Sequence, residues 1–329
     1  MLHVYFSPAT ARLLVVVFAL LLLLATPLFF IGGPDWVSSQ LLRDAWNFGH
    51  VLFYALLLIV VQWFLPLPRW RHWLSVSLVA LSLGAVIEVV QHFVGRHASW
   101  SDIFNNLAGV WLGLFWGQHP ASDAERRQVC SGRVLSLLLI APALWLVVES
   151  MWAELALRRA FPVVNSFETR AEQQQLFFNA ARVDAQFQRE NVSQGSYSLR
   201  LELAPGGYSG VRLRSCYGDW SAYEFLFLDA FNPGLEPLRL VLRLSDVIHD
   251  RGTHSYHDRY NQTLVLQPGW NKLQFPIADI SSSPQERAMQ MDAICNLGIF
   301  AAGLAQPAVV YLDNIRLGNV RFENTASGK

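Results

Sequence analysis

Val134 to Trp152 reads VLSLLLIAPALWLVVESMW, an apolar run whose one charge, Glu149, comes near its end. Farther on, Tyr197 to Leu203 reads YSLRLEL, with every second residue apolar or aromatic. A hydrocarbon core of about 30 Å takes about 20 apolar residues in a helix, so the first run has the length of a membrane span. The second has the period of a half-buried strand. The change from one pattern to the other falls near residue 160 and divides the chain. Residues 1–155 are expected to form an all-α membrane bundle and residues 160–320 an all-β sandwich. Residues 321–329 are expected to be a flexible tail.

Composition agrees with this division. Of 329 residues, 53% are hydrophobic and 15% charged, against about 25% charged in soluble chains. Lys plus Arg and Asp plus Glu both number 25, which removes the electrostatic argument for nucleic acid as a partner. Cys130, Cys216 and Cys295 lie far apart with no C-x-x-C, arguing against a zinc ribbon or redox dithiol. Cys216 and Cys295 are either a disulfide or two core residues.

Four further runs join Val134–Trp152: Leu13–Ile31, Phe48–Leu67, Trp73–Val94 and the shorter Ile103–Trp116. The first resembles a signal peptide in its flank, but its length and the lack of a clean cleavage site read as a retained anchor. With the N-terminus inside, the inner loops hold Arg12, Arg69, Arg71, Arg126, Arg127 and Arg133, and the outer ones Arg43 and Arg96. Lys and Arg prefer the cytoplasmic side, so five spans are expected, with the C-terminal half exported.

Polar residues inside those runs are costly in lipid and call for a reason. Glu88, Gln91 and His92 share one helical face by their spacing, Arg96 follows, and Asp102, Asn105 and Asn106 repeat the spacing on the next helix. His50 and Tyr54 lie four apart on the second helix. Arg96 is expected to pair with Glu88 or Asp102. Two readings stand: an interhelical clasp, or a site for a lipid headgroup or lipid-linked saccharide. In the second, Glu88, Asp102 and His50 are the catalytic candidates of a membrane enzyme. Gly109 and Gly113 form a small-xxx-small pair for close helix contact.

The order His50, Tyr54, Glu88-x-x-Gln91, Arg96, Asp102-x-x-x-Asn106, Gly109, Gly113 resembles the VanZ-like family of small bacterial membrane proteins, over about residues 10–118. Trp46-Asn47 stands where many members have Asp-Lys. The resemblance implies the cytoplasmic membrane and the cell envelope, without a defined reaction.

In the second half, alternating stretches Glu224–Phe231, Leu238–Leu244, Gln262–Leu266, Lys272–Phe275 and Val309–Leu312 are separated by Pro205-Gly-Gly207, Asn232-Pro-Gly234 and Pro268-Gly269. Many short strands with turn signals read as a sandwich or barrel. Asn165-Ser-Phe-Glu168, Pro268-Gly-Trp-Asn271 and Tyr311-Leu-Asp-Asn-Ile-Arg316 resemble jelly-roll carbohydrate-binding modules of galactose-binding-like fold, over about 160–318. The resemblance implies a structural calcium at Glu168 and Asp313, and a glycan partner. The loop 246–261 concentrates polar and aromatic groups. Tyr256, Tyr260 and Trp220 are the candidate stacking faces, and His257, Asp258 and Arg259 the candidate hydrogen-bonding groups. No carboxylate pair of defined spacing marks a hydrolase, so the chain reads as a membrane-anchored glycan binder first and an enzyme second. A purely structural anchor is the third reading.

Overall fold

The computed structural model describes residues 8–27, 33–34, 38–93, 100–214 and 217–320, with no side chain described at 8, 11, 12, 88 and 90–93. Two compact units make up the chain, Met1–Met151 and Trp152–Lys329. The expected tail, 321–329, lies outside the described residues.

The first unit holds α1 (Pro8–Ala25), α2 (Gln40–Phe64), α3 (Trp70–Phe93), α4 (Trp100–Gly117) and the start of α5 (Asp123–Ala160). Among the described residues, α2, the Trp70–Ile87 part of α3, and α5 are long and apolar enough to cross a membrane. Leu13–Ala25 is apolar but shorter. Two of the five expected spans therefore lack that support. In α4 the polar residues Asp102, Asn105 and Asn106 interrupt the apolar run.

Helices α2 and α4 meet backbone to backbone. A Cβ on Gly109 would collide with the carbonyl oxygen of Val51, and one on Gly113 with that of Ala55. Only glycine permits this approach, as the small-residue spacing led one to expect. Around the contact, Tyr54, Leu58, Val110, Leu114 and Phe115 form an apolar cluster. Trp111 Nε1 donates to Ser77 Oγ at 3.0 Å, tying α4 to α3, and Gln62 Nε2 donates to Gly113 O at 2.9 Å.

The second unit is a sandwich of two antiparallel sheets. One has the order β3 (Val183–Gln188), β4 (Ser198–Leu203), β11 (Ala308–Gly318), β6 (Phe225–Asn232), β9 (Gly269–Pro276), with β1 (Val163–Asn165) added on β11. The other runs β2 (Leu176–Phe178), β5 (Gly206–Arg214), β10 (Ile294–Leu304), β7 (Leu238–Asp246), β8 (Tyr260–Leu266). Alternate residues of each strand meet in one core, including Leu199, Leu201, Leu226, Leu228, Leu240, Leu242, Ile299 and Leu312. Full burial of one such leucine stabilises by about 1.5–3 kcal/mol. Cys295 is engaged in a disulfide and Cys130 is a free thiol, while Cys216 lies outside the described residues.

Candidate functional site

Because side chains alternate along a strand, the residues between the core positions of the second sheet all point away from the core. Register then sets them in rows. The middle row crosses all five strands: Phe177 opposite Arg212, Arg212 opposite Gly298, Gly298 opposite Arg243, Arg243 opposite Asn261. On one side of it lie Gly210, Phe300, Val241 and Thr263, and on the other Arg214, Asn296 and Ser245. Tyr208, 72% exposed, stands opposite Ala302 at the edge of the face.

The rings and guanidinium groups of this face are stacked together. Arg243 lies over Phe300 at 4.6 Å, and Tyr208 meets Phe300 edge-on at 5.6 Å. Arg212 and Arg214 both lie against Phe177, at 5.8 and 5.5 Å. Each such contact is worth about 0.5–1 kcal/mol at an exposed site. Arg243 Nε donates to Asn261 Oδ1 at 3.3 Å. Gly298 has only ordinary van der Waals neighbours where its Cβ would be, the nearest being Arg243 Cβ at 3.7 Å. Gly298 is itself buried and separates the two arginines in the row.

The segment after β7 folds back over one end of this face. A short helix, Val247–Arg251, is capped by Asp246, which accepts from His249 N at 2.9 Å. Asp250 then accepts from Ser245 Oγ at 2.8 Å and from Asn296 Nδ2, both on the outward side of the sheet. Burial pushes the Asp250 carboxyl up from its ordinary value. Arg287 clamps the loop from beneath with bonds to Asp246 of 2.5 and 2.8 Å and to Asp258 of 2.7 Å. Burial would raise Asp246, but bonds from Arg287 and the amides of Gln290 and His249 outweigh it and hold the carboxyl low. His249, 3.5 Å from Asp258, has its pKa lowered, chiefly by burial. Tyr256 is 62% exposed with Arg259 stacked on it at 5.2 Å, and His257 is exposed nearby.

Two expected stacking residues are corrected. Trp220 is 1% exposed and belongs to the core, because Asp219 caps a short 3-10 turn that drives the indole inward. Tyr260 is also core, and burial pushes its hydroxyl up to about 12. Asp258 is taken up by Arg287 and holds the loop in place. Tyr256, Arg259 and His257 remain at the surface, beside a face whose residues on β2, β5, β7 and β10 the sequence reading did not single out.

The expected metal carboxylates fasten one loop. Glu168 Oε1 accepts from the amides of Ser196 and Tyr197, each at 2.7 Å. Asp313 Oδ2 accepts from the amides of Ser193 and Gln194, at 2.7 and 3.0 Å. Burial raises the Asp313 carboxyl despite these bonds. Asp229, opposite Asp313, keeps a buried Oδ1 with no hydrogen bond among the described residues. Among those residues no three His, Cys, Asp or Glu side chains gather around one point.

In the helical unit, His50 Nδ1 and Asn106 Oδ1 are joined at 3.0 Å inside the α2–α4 contact. Asn105 Nδ2 reaches Asn47 O at 3.4 Å, and Tyr54 is buried beside them. His50 also borders a crevice lined by Ala25, Leu42, Ala45, Trp46, Gly49 and Phe53. Asp102 is half-buried in the first turn of α4, where the helix dipole favours a carboxylate. The side chains of Glu88, Gln91 and His92, and all of Arg96, lie outside the described residues, and with them the expected Arg96 ion pair.

No family model and no curated protein matches the chain. Among solved structures, the sandwich is similar to the family 11 carbohydrate-binding module from Clostridium thermocellum in complex with a beta-1,3-1,4-mixed-linked tetrasaccharide. That match has 12% identity and a TM-score of 0.38, and covers 48% of this chain and 95% of that one. A family 30 carbohydrate-binding module of a cellulosomal cellulase of the same organism matches at 17% identity and TM-score 0.35, over 48% and 92%. An exo-beta-agarase matches at 12% and 0.39, over 50% of this chain and 26% of its own.

Proposed function

We propose that the protein is a membrane-anchored glycan binder whose ligand lies across the outward face of β2, β5, β10, β7 and β8. One observation carries this reading: a row of Phe177, Arg212, Gly298, Arg243 and Asn261 spans five strands, with a glycine at its centre. Sugar rings need flat apolar surfaces for their C–H faces and planar polar groups for their hydroxyls. Phe177, Tyr208, Phe300 and Tyr256 offer the first and the arginines and Asn261 the second.

The helical unit holds this face at a bacterial cytoplasmic membrane, with the sandwich exported. The VanZ-like residue order and the Arg distribution support that placement. The His50–Asn106 bond supports the clasp reading of the polar cluster over the catalytic one, since it spends the imidazole on helix packing.

Glycan binding is tested with the full chain in detergent on an oligosaccharide array. Phe177→Ala and Tyr208→Ala, both on exposed side chains, should abolish capture while leaving the melting temperature nearly unchanged. Undiminished capture by the double variant would remove the face as the site. A calcium ion held by Glu168 and Asp313 is proposed as a structural element of the sandwich, with the orphan Asp229 Oδ1 and the carboxylate chemistry in its favour. If it binds, chelator should lower the melting temperature in the wild type and not in Asp313→Ala. Equal melting with chelator and with excess calcium would remove the metal.

A further inference from the structure

The same face carries a charge pattern that binding of a neutral sugar would not require. Arg212, Arg214, Arg239 and Arg243 all occupy outward positions on the sheet, and Arg259 stands on the loop at its end. The whole chain has equal numbers of basic and acidic residues, so this concentration is local. Of the carboxylates nearby, Asp250 feels the charge of Arg212, and the loop's carboxylates are held by groups other than Arg243 and Arg259. Asp246 and Asp258 bind Arg287, and Asp250 is buried under bonds from Ser245 and Asn296. Among the described residues no carboxylate pairs with Arg243 or Arg259. Arg259 lies two residues before Asn261, which stands opposite Arg243, and its charge adds to burial in lowering the Arg243 pKa. Arg259 Nε makes no hydrogen bond among the described residues.

Donors and acceptors are equally unbalanced. A sugar hydroxyl must donate as well as accept, and a site for neutral sugar supplies both. Here guanidinium N–H groups dominate, and Asn261 Oδ1 already accepts from Arg243. A carboxylate only accepts, and the planar guanidinium fork fits it in two-point fashion. Arg212 and Arg243 flank β10, so their backbones stand about two strand spacings, roughly 9–10 Å, apart. An oligosaccharide lying across the strands would meet both.

We propose that the ligand is an acidic glycan, a polysaccharide bearing uronate carboxylates, with Arg243 and Arg259 on one acidic group and Arg212 on the far side of β10. This rests on the glycan reading and names its substrate class. The test is calorimetric titration of the full chain in detergent with galacturonate and mannuronate hexamers, each beside its carboxyl-reduced, neutral counterpart. The acidic hexamers should bind tighter by roughly tenfold or more, the return expected of one charge-assisted contact. Raising the salt should narrow the gap. Arg243→Gln and Arg259→Gln should each remove most of that preference, and Arg243→Lys should keep part of it. Retained preference in the glutamine variants would overturn the assignment. Equal affinity for acidic and reduced hexamers in the wild type would overturn the acidic class and leave the glycan face standing. Binding of neither kind would overturn both. Displacement of the hexauronates by glycerol phosphate at equal concentration would overturn it in favour of a phospholipid headgroup.

Discussion

Arg287 ties the loop at the candidate face down at two points. Its guanidinium satisfies the fully buried Asp246 and the half-buried Asp258. Removing one partner of such a pair leaves an uncompensated charge behind. Arg287→Ala should therefore cost about 2–3 kcal/mol in chemical denaturation, somewhat less than a fully buried pair because the arginine is partly exposed. The neighbouring His249 gives the loop a pH dependence. Its folded pKa is lowered by burial, so the folded state resists protonation. Stability from this residue is complete above the unfolded value of 6.5 and is lost as pH falls below it. Asp246, held low, adds a second loss in the carboxylate range, while Asp250 and Asp313, held high, work in the opposite direction there. The melting temperature should begin to fall below about pH 6.5, and His249→Gln should remove that first step. A titration with the same onset in the variant would exclude His249. The loop was legible in the sequence but its clamp was not, since Arg287 lies in an unremarkable polar stretch, and Trp220 looks like a surface aromatic. Burial of Trp220 depends on a 3-10 turn capped by Asp219, and a hydropathy pattern does not show such a turn.

At the level of elements, legibility followed alternation. β4, β7 and β9 fall on stretches whose core residues recur at every second position, β6 and β8 carry consecutive apolar residues, and Gly206 and Gly269 supply the positive φ of the expected turns. β10 reads ICNLGIFAAGL and was not anticipated. Its outward residues Asn296, Gly298, Phe300 and Ala302 are mostly small or apolar, so no polar–apolar alternation marks them. That strand is the centre of the candidate face, which is why the face was missed while its loop was found. Its glycines separate stability from binding. A Cβ at Gly298 meets nothing closer than 3.7 Å, whereas one at Gly210 would collide with the backbone of Ile299 and Phe300. Gly298→Ala should thus change stability by less than about 1 kcal/mol and weaken glycan capture by placing a methyl group between Arg212 and Arg243. Gly210→Ala should destabilise the sandwich by about 1–3 kcal/mol through overpacking. Unchanged capture by Gly298→Ala would show that the row of Arg212 and Arg243 is not where the ligand lies. The same reasoning applies to α4, where Gly109→Val should separate it from α2 and reduce the yield of folded protein.

For the whole molecule, the decisive question is which side of the membrane the sandwich occupies, and it turns on α4. Helices α2, α3 and α5 qualify as spans by length and apolarity. If they alone cross, the sandwich following α5 emerges on the side that holds Arg69 and Arg71, between α2 and α3. Arg126, Arg127 and Arg133 would then sit on the opposite side, and the two basic groups would contradict each other under the positive-inside rule. If α4 also crosses, both groups share the cytoplasmic side and the sandwich is exported. The 18 residues of α4 make a rod of about 27 Å, close to the hydrocarbon thickness of about 30 Å. Its Asn105 and Asn106 are buried against α2 and not turned to lipid. Gly109 and Gly113 pack it directly on a qualifying span. A polar helix face satisfied by its neighbour is the form in which such residues are tolerated at membrane depth. Whether α1 crosses moves only the N-terminus and does not enter this argument. A periplasmically active reporter fused after Lys329 should therefore be active, and the same reporter placed between α4 and α5, after His119, should be silent. Activity at His119 with silence at Lys329 would overturn this orientation. The sandwich would then be cytoplasmic, out of reach of any envelope polysaccharide.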